Sequence, residues 1–427
     1  MKKMDYQNVR GTLDYLPDDE IIRRNIRRTL EDVFIQYGCQ PLETPILNYT
    51  ELLASKYGGG AEILEEMYKL SDRGERELAL RYDLTIPFAK VVAMNPTLRM
   101  PFKRYEIGKV FRDGPIKTGR FREFTQCDVD IVGVDSQLAE AELMVMALDA
   151  FSKLDLKVTI QYNNRKLLTG MLELFGIGSE NMNKVILILD KLEKVGVDTV
   201  ISELYDQPLQ DSTIISVKRF LTDEENTRLS YFELYSSQNE KVREGLAELK
   251  ELESYLEFLG VDKPCVFSPF LARGLEIYTG TIYEIFLSNQ KIKSSIGSGG
   301  RYDQAIGGLI GTNENFSTVG ISFGLDVMYT AIRSSEKDCQ NSNNLDFYII
   351  PLGTPKEALL VATSLRRGGF KVECELSNKK LGKALEKANK EKVENVIIIG
   401  GDEVENNQYK VKNMFSGEER IEFFQFK

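Results

Sequence analysis

Apolar residues recur at spacings of three and four over residues 18–37, where Ile21, Ile22, Ile26, Leu30, Val33 and Phe34 lie among charged side chains. That period gathers them on one face of a helix, and Gly38 stands where the helix must end. Gln40–Leu47 reads as extended, with Pro41 and Pro45 restricting its backbone. From Leu78 to Gly133 the pattern changes to short strands and turns, and Arg112-Asp113-Gly114-Pro115 is a strong turn signal between two strand-like runs. Residues 170–255 return to helical patterning, clearest in Asn183–Lys194 and Glu240–Leu259, before a second strand-rich region at 265–333. A helical block between two strand-rich regions predicts an α+β domain, an antiparallel sheet carrying a helical insertion. The polar run Ser334–Asn344 reads as an exposed linker. Beyond it come a strand (Leu345–Pro351), a helix (Lys356–Arg367), a strand (Phe370–Glu375), a basic helix (Lys379–Lys392) and a strand (Asn395–Ile399). That alternation predicts a small α/β domain with a mainly parallel sheet.

Composition narrows the function classes. With 427 residues, 42% hydrophobic and 28% charged, the chain is long enough for two or three domains and a large core. A net charge of -10 excludes a generally basic nucleic-acid coat, while leaving local basic patches open. The five cysteines form no CxxC pair, which argues for isolated reduced thiols over a zinc ribbon. The N-terminus leads into polar sequence and no apolar run has membrane-spanning length, so a cytoplasmic address without membrane attachment is expected. The chain contains no histidine, which removes the commonest general base near neutral pH. Catalysis must then rest on carboxylates, arginines, backbone dipoles, metal ions or the substrate's own groups.

The richest chemistry lies between Phe102 and Gly133. If residues 120–131 form a strand, alternation puts Arg120, Arg122, Phe124, Gln126, Asp128 and Asp130 on one face. The other face takes Phe121, Glu123, Thr125, Cys127, Val129 and Ile131, whose later members suit a core. The first set is either an unusually mixed solvated face or a binding surface. In the second case Arg112 and Arg120 suit phosphates, Phe124 suits stacking on a flat base, and Gln126 and Asp130 suit a small polar substrate. A second cluster, LARGLEIYTGTIYE at 271–284, sets Arg273 beside a glycine before an aromatic and β-branched strand. It reads equally as a strand-end surface pair or as a charge aimed at a reacting phosphate or carboxylate. Ser298-Gly299-Gly300-Arg301-Tyr302-Asp303 allows tight turns or close backbone approach to a ligand. Gly320-Ile321-Ser322-Phe323-Gly324-Leu325 reads as a strand entering a helix.

Taken together these segments resemble the histidyl-tRNA synthetase family of class II aminoacyl-tRNA synthetases. FRDGP with GRFREFTQCDVDIVG (111–115 and 119–133) resembles the family's form of motif 2. LARGLEIYTGT resembles its histidine-binding signature, and SGGRYD a companion glycine-rich signature. VRGTLDYLP near the start, LRYDLTIPFAK at 80–90 and YNNRKLL at 162–168 are similar as well, so the likeness covers nearly the whole chain.

The resemblance implies a six-stranded antiparallel catalytic sheet flanked by helices, an inserted helical domain and a C-terminal α/β anticodon-binding domain. It divides the chain into catalytic residues 1–168, a helical insertion at 169–260, further catalytic residues 261–333, a linker at 334–344 and an anticodon-binding domain at 345–427. It implies a homodimer meeting near motif 1, about Gly38–Leu53, with L-histidine, ATP, Mg²⁺ and tRNA(His) as partners. By residue, it assigns Asp83, Thr85, Gln126, Asp130 and Tyr278 to histidine. Arg112 falls to the α-phosphate and substrate carboxylate, Arg120 and Phe124 to ATP, and Arg273 to charge developing on the α-phosphate. Arg112 and Arg273 are thereby the expected catalytic residues. Lys379–Lys387 become contacts for the tRNA backbone, where on their own they read as a solvated face. The chain departs from the family at Glu276-Ile277, where aspartate-tyrosine is usual, and at Phe121, where tyrosine is frequent. It departs also at Val327, where motif 3 normally carries an arginine for the γ-phosphate. Two other readings are a regulatory paralogue in histidine biosynthesis and a sensor of uncharged tRNA. Neither would make adenylate, and only the sensor would bind tRNA.

Overall fold

Pro17–Gln36 forms the first helix, with Ile22, Ile26, Leu30, Val33 and Phe34 buried along one face. Pro17 presets the first-turn geometry, and Asp18, Asp19 and Glu20 sit where the helix dipole favours acids. The helix ends at Gly38, whose φ of 75° is one that glycine adopts without strain. The structure, a computed structural model, describes residues 6–55, 64–116, 119–272, 277–289, 292, 294–312, 314–334, 345–377 and 379–426. The chain folds into two compact units, residues 1–337 and 338–427.

The first unit is organised by one large sheet. In spatial order its strands are Gln40–Pro41, Phe102–Phe111, Glu123–Val132, Thr318–Gly324, Gly297–Arg301, Thr281–Leu287, Val158–Asn164 and Cys265–Phe267. The six central strands pair antiparallel, as expected, and each edge adds one short parallel strand. On Glu123–Val132 the predicted alternation holds. Cys127, Val129 and Ile131 enter the main core with the first helix and with helix Leu138–Lys153. Gln126, Asp128 and Asp130 take the opposite face and line a cleft.

Helices running from Arg165 to Phe258 fill the interval between strands Val158–Asn164 and Cys265–Phe267. Those two strands are parallel neighbours, so the helical excursion leaves and rejoins the same sheet edge. Part of it has a core of its own, built on Leu172, Val185, Val200, Leu204 and Val217.

Two features depart from the sequence expectation. Residues 78–133 are not only strands and turns, because Thr85–Met94 is a helix. Ile86, Pro87, Phe88, Ala89 and Val92 are all buried, and a helix apolar on most sides shows no stripe by which period reveals it. A small sheet of Leu47–Tyr49, Glu77–Leu80 and Lys69–Ser71 lies beside it in sequence.

In the second unit the order is Val372–Cys374, Phe347–Pro351, Asn395–Ile399, Gln408–Asn413 and Glu419–Phe423. The first three strands are parallel, and the last two add antiparallel at one edge. The sheet is therefore mixed rather than mainly parallel. The added pair carries little apolar pattern: Glu419–Phe423 is exposed at every position.

Candidate active site

A cleft of about 430 Å³ opens on the polar face of the large sheet. Asp83, Thr85, Arg112, Arg120, Phe124, Gln126, Asp130 and Tyr278 all line it. Eight of the nine expected site residues are thus brought to one place from segments that span the first unit. The ninth, Arg273, lies outside the described residues, as does Glu276.

The floor of the cleft is a buried charge network. Strand pairing sets Arg104 directly opposite Asp130, and the Arg104 guanidinium lies 2.6 Å from Asp130 Oδ2. It also lies 3.6 Å from Glu106, and 4.3 Å above the Phe88 ring. Burial works against the charge of Arg104, but Asp130 and Asp128 outweigh it and raise its pKa. The Tyr302 hydroxyl donates to Asp130 Oδ1. Burial lifts Asp130 above the ordinary carboxylate value, with Arg104 and the Tyr302 bond opposing. Room for this carboxylate depends on Gly320, since a Cβ there would stand 2.0 Å from Asp130 Oδ1.

Beside Asp130, Asp128 accepts a 2.5 Å hydrogen bond from Ser322 Oγ. Gln126 Nε2 donates to the same Ser322 oxygen at 2.8 Å. Gln126 Oε1 is buried and accepts no hydrogen bond. A buried amide oxygen left unpaired carries a desolvation penalty of about 1–3 kcal/mol, which a ligand N–H relieves. Burial pushes Asp128 up to about 8, and the neighbouring Asp130 adds to the rise against Arg104 and Ser322.

Arg112 and Arg120 bring positive charge to the cleft. Arg112 Nε donates to the Tyr82 carbonyl at 2.9 Å, and its guanidinium lies 5.3 Å from the Phe124 ring centroid. Burial lowers its pKa, with Asp83 opposing. Asp83 accepts from the Ile86 N–H at 3.2 Å, and burial pushes its carboxyl up to about 6. Arg120 reaches Glu66 at 3.3 Å. The Glu66 carboxylate occupies the space a side chain at position 114 would fill, since a Cβ on Gly114 would stand 2.3 Å from Glu66 Oε1. The Glu66 carbonyl also accepts from the Asp113 N–H at 2.7 Å, so Glu66 contacts both Asp113 and Arg120. Arg122 leaves the site: it pairs with Asp113 at 2.9 Å.

At the motif 3 end, Asp326 is buried and fully engaged. It accepts from Arg23, from the Thr125 N–H at 2.7 Å and from the Tyr15 hydroxyl at 2.7 Å. Arg23 stacks 3.7 Å from the Tyr15 ring centroid, so its charge is committed to this bundle. Val327 lines the cleft as an apolar surface. In the second unit, Lys387 pairs with Glu373 at 2.5 Å and Lys379 with Glu375 at 3.6 Å, whereas Lys380 and Lys383 are exposed.

Local sequence assigns no role to Arg104, Glu66, Tyr302 or Ser322, and places Asp128 on the polar face without one. Arg104 had a findable signal: pairing the two strands in their observed register sets its charge against Asp130. Glu66 had none, because its contact depends on tertiary approach to a glycine.

Comparison with known proteins agrees with this geometry. A family model described as Histidyl-tRNA synthetase matches residues 11–328, and one described as Anticodon binding domain matches residues 346–426. A Shouchella clausii protein named histidine--tRNA ligase 2 is 59% identical over 426 residues, covering 100% of each chain. A Bacillus cereus protein named histidine--tRNA ligase 1 is 55% identical over 418 residues, covering 97% of each. The crystal structure of histidyl-tRNA synthetase from Nostoc sp. PCC 7120 superposes with a TM-score of 0.83 at 29% identity, covering 99% of this chain and 97% of that one. A Bacillus halodurans structure described as an ATP phosphoribosyltransferase regulatory subunit/histidyl-tRNA synthetase has a TM-score of 0.76 at 19% identity, covering 94% and 100%, a likeness of fold alone.

Proposed function

We propose, from the premise that the chain belongs to the histidyl-tRNA synthetase family of class II aminoacyl-tRNA synthetases, that its cleft joins L-histidine to ATP and passes the histidyl group to tRNA(His). The observation that carries this reading is the polarity of the cleft. Arginines Arg112 and Arg120 line it together with the acceptors Gln126, Asp130 and Asp83. Such a surface suits a small zwitterion laid against a polyphosphate.

In the first step a histidine carboxylate oxygen attacks the α-phosphorus of ATP, a P–O bond forms, and pyrophosphate leaves with the electrons of the broken bond. The nucleophile is already an anion, so no protein base is required. Placement and positive charge supply the rate. Arg112 holds the α-phosphate and the substrate carboxylate, Phe124 stacks on adenine, and Arg120 neutralises the remaining phosphates. Arg273 adds charge at the α-phosphate. Asp83, Thr85, Gln126, Asp130 and Tyr278 hold the ammonium and imidazole. In the second step the terminal ribose hydroxyl of tRNA attacks the adenylate carbonyl, a phosphate oxygen takes its proton, and AMP departs. A chain without histidine is adequate for both steps. Mg²⁺ enters with ATP, whose phosphate oxygens are the hard donors it prefers. Among the described residues no group of three or more His, Cys, Asp or Glu side chains is arranged to hold a metal.

The same reading makes residues 345–427 the anticodon-binding domain, with Lys380 and Lys383 as tRNA contacts, and the whole chain a cytoplasmic homodimer. Exposed Ile46, Leu47 and Tyr49 in the motif 1 region support that contact surface. No helix among the described residues is long and apolar enough to cross a membrane. Charging of tRNA(His) with labelled histidine tests the function. Histidine-dependent charging is the expected result. Binding of tRNA without adenylate formation would instead identify a sensor, and neither binding nor adenylate a regulatory paralogue.

A further inference from the structure

Gln126 faces the cleft with one of two ends, a hydrogen-bond donor or an acceptor, and the choice decides whether it attracts or repels an ammonium group. The neighbouring strand settles the choice. Ser322 lies directly opposite Asp128 in the register and two pairs along from Gln126, which faces Gly324. Its hydroxyl carries a single proton and stands 2.5 Å from Asp128 Oδ1 and 2.8 Å from the Gln126 amide. While Asp128 is a carboxylate it only accepts, so in that state the hydroxyl proton goes to Asp128. Ser322 is then left with lone pairs for its other neighbour, and Gln126 must offer it the NH₂ end. The amide oxygen is what remains, and it is buried with no partner.

We infer that Asp128 and Ser322 form a positioning relay that locks the Gln126 amide with its carbonyl oxygen toward the cleft, as the acceptor for the substrate's ammonium N–H. The inference rests on the histidine-activating reading and adds the residues that set its amino-group recognition. Ser322 and Asp128 act through Gln126, which alone of the three makes the contact assigned to it here.

The electrostatics of the cleft fit a relay that sets as the ligand enters. The charged groups acting on Asp128 are Arg104 across the strand pair, Asp130 on its own strand and Asp83 from the preceding segment, with Ser322 as its hydrogen-bond donor. Glu106 is its cross-strand neighbour, but Glu106 is held by Arg81 at 2.8 Å and by Thr44 at 2.9 Å. Burial by itself favours the protonated form of Asp128. A protonated Asp128 can itself donate to Ser322, which frees the hydroxyl to turn and the amide to flip. An arriving ammonium favours the carboxylate, and the carboxylate fixes both groups in the accepting arrangement.

The test is a double-mutant cycle read by ATP–pyrophosphate exchange on the full-length protein, with L-histidine and ATP varied separately. Ser322→Ala is expected to raise the KM for histidine about tenfold, the loss of one oriented hydrogen bond. The KM for ATP and kcat should stay within about twofold. Ser322→Thr, which restores the hydroxyl, should bring the histidine KM back. In a Gln126→Ala background Ser322→Ala should add nothing, because its effect passes through the amide. If Ser322→Ala is too unstable to assay, Ser322→Cys keeps the shape, loses the strong hydrogen bonds and carries the same expectation. An unchanged histidine KM in Ser322→Ala overturns the relay. So does a proportional loss in kcat and both KM values, or full additivity with Gln126→Ala. Absence of histidine-dependent exchange in the unaltered protein overturns the functional reading itself, and the relay with it.

Discussion

Arg112 stands beside Phe124 and the half-buried Asp83, the place proposed for an α-phosphate to meet a substrate carboxylate. Arg112→Ala should lower histidine-dependent pyrophosphate exchange by about 10²–10³-fold, the scale for removing a charge that stabilises a transition state. Arg112→Lys should recover only part, because an ammonium cannot make the bidentate contact. Both losses belong in kcat/KM, with thermal stability little changed. A second expectation at this scale concerns pH. Burial favours the neutral form of Asp128, up to about 8. Between the ordinary aspartate value and that point, the folded chain keeps a proton that the unfolded chain has released. This contribution to stability therefore shrinks as pH rises through the window. Asp128→Asn removes it, so the Tm of the variant relative to the unaltered protein should climb between about pH 5 and about pH 8. A pH-independent difference would show that Asp128 ionises freely. Residue identity at the site was largely legible in the chain, since Arg112, Phe124, Gln126 and Asp130 are set by local alternation and motif. The supporting residues were not. Arg104, Ser322 and Glu66 gain their roles from register and tertiary approach, which no local pattern records.

Between strands, the polar floor depends on one absent side chain. At Gly320 a Cβ would stand 2.0 Å from Asp130 Oδ1 and 3.2 Å from the Tyr302 ring. Gly320→Ala must therefore push Asp130 off its place between Tyr302 and Arg104. Overpacking of this kind costs about 1–3 kcal/mol, and a thermal melt should show the lower Tm while the histidine KM rises. An alanine protein with unaltered melting and unaltered KM would mean the floor yields freely. Strands with one buried face could be read from their alternation, as Glu123–Val132 shows, and the amphipathic first helix from its period. Helix Thr85–Met94 could not, because it is apolar on most sides. The edge strand Glu419–Phe423 could not, because every one of its positions is exposed. An element half in water writes its period into the sequence, and one wholly in either medium does not.

Across the whole molecule, the large sheet brings Asp83, Arg112, Gln126 and Tyr278 into one cleft. The second unit offers exposed lysines on a separate α/β frame. Lys380→Glu combined with Lys383→Glu should weaken tRNA charging and its salt dependence while leaving pyrophosphate exchange untouched, since the cleft proposed for adenylate formation is lined by first-unit residues. An equal fall in both assays would place those lysines outside tRNA recognition. The two-part order of the chain was legible from the polar run before the C-terminal strand–helix alternation, and the helical excursion from its length. The pairing that returns the excursion to the same sheet edge had to be seen. The most direct test of the account is ATP–pyrophosphate exchange measured across the amino acids, with ATP and Mg²⁺ present and tRNA omitted. Rapid exchange with L-histidine and little with any other amino acid is what a cleft lined by both arginines and acceptors requires. Exchange with none of them, or a clear preference for another amino acid, would contradict it.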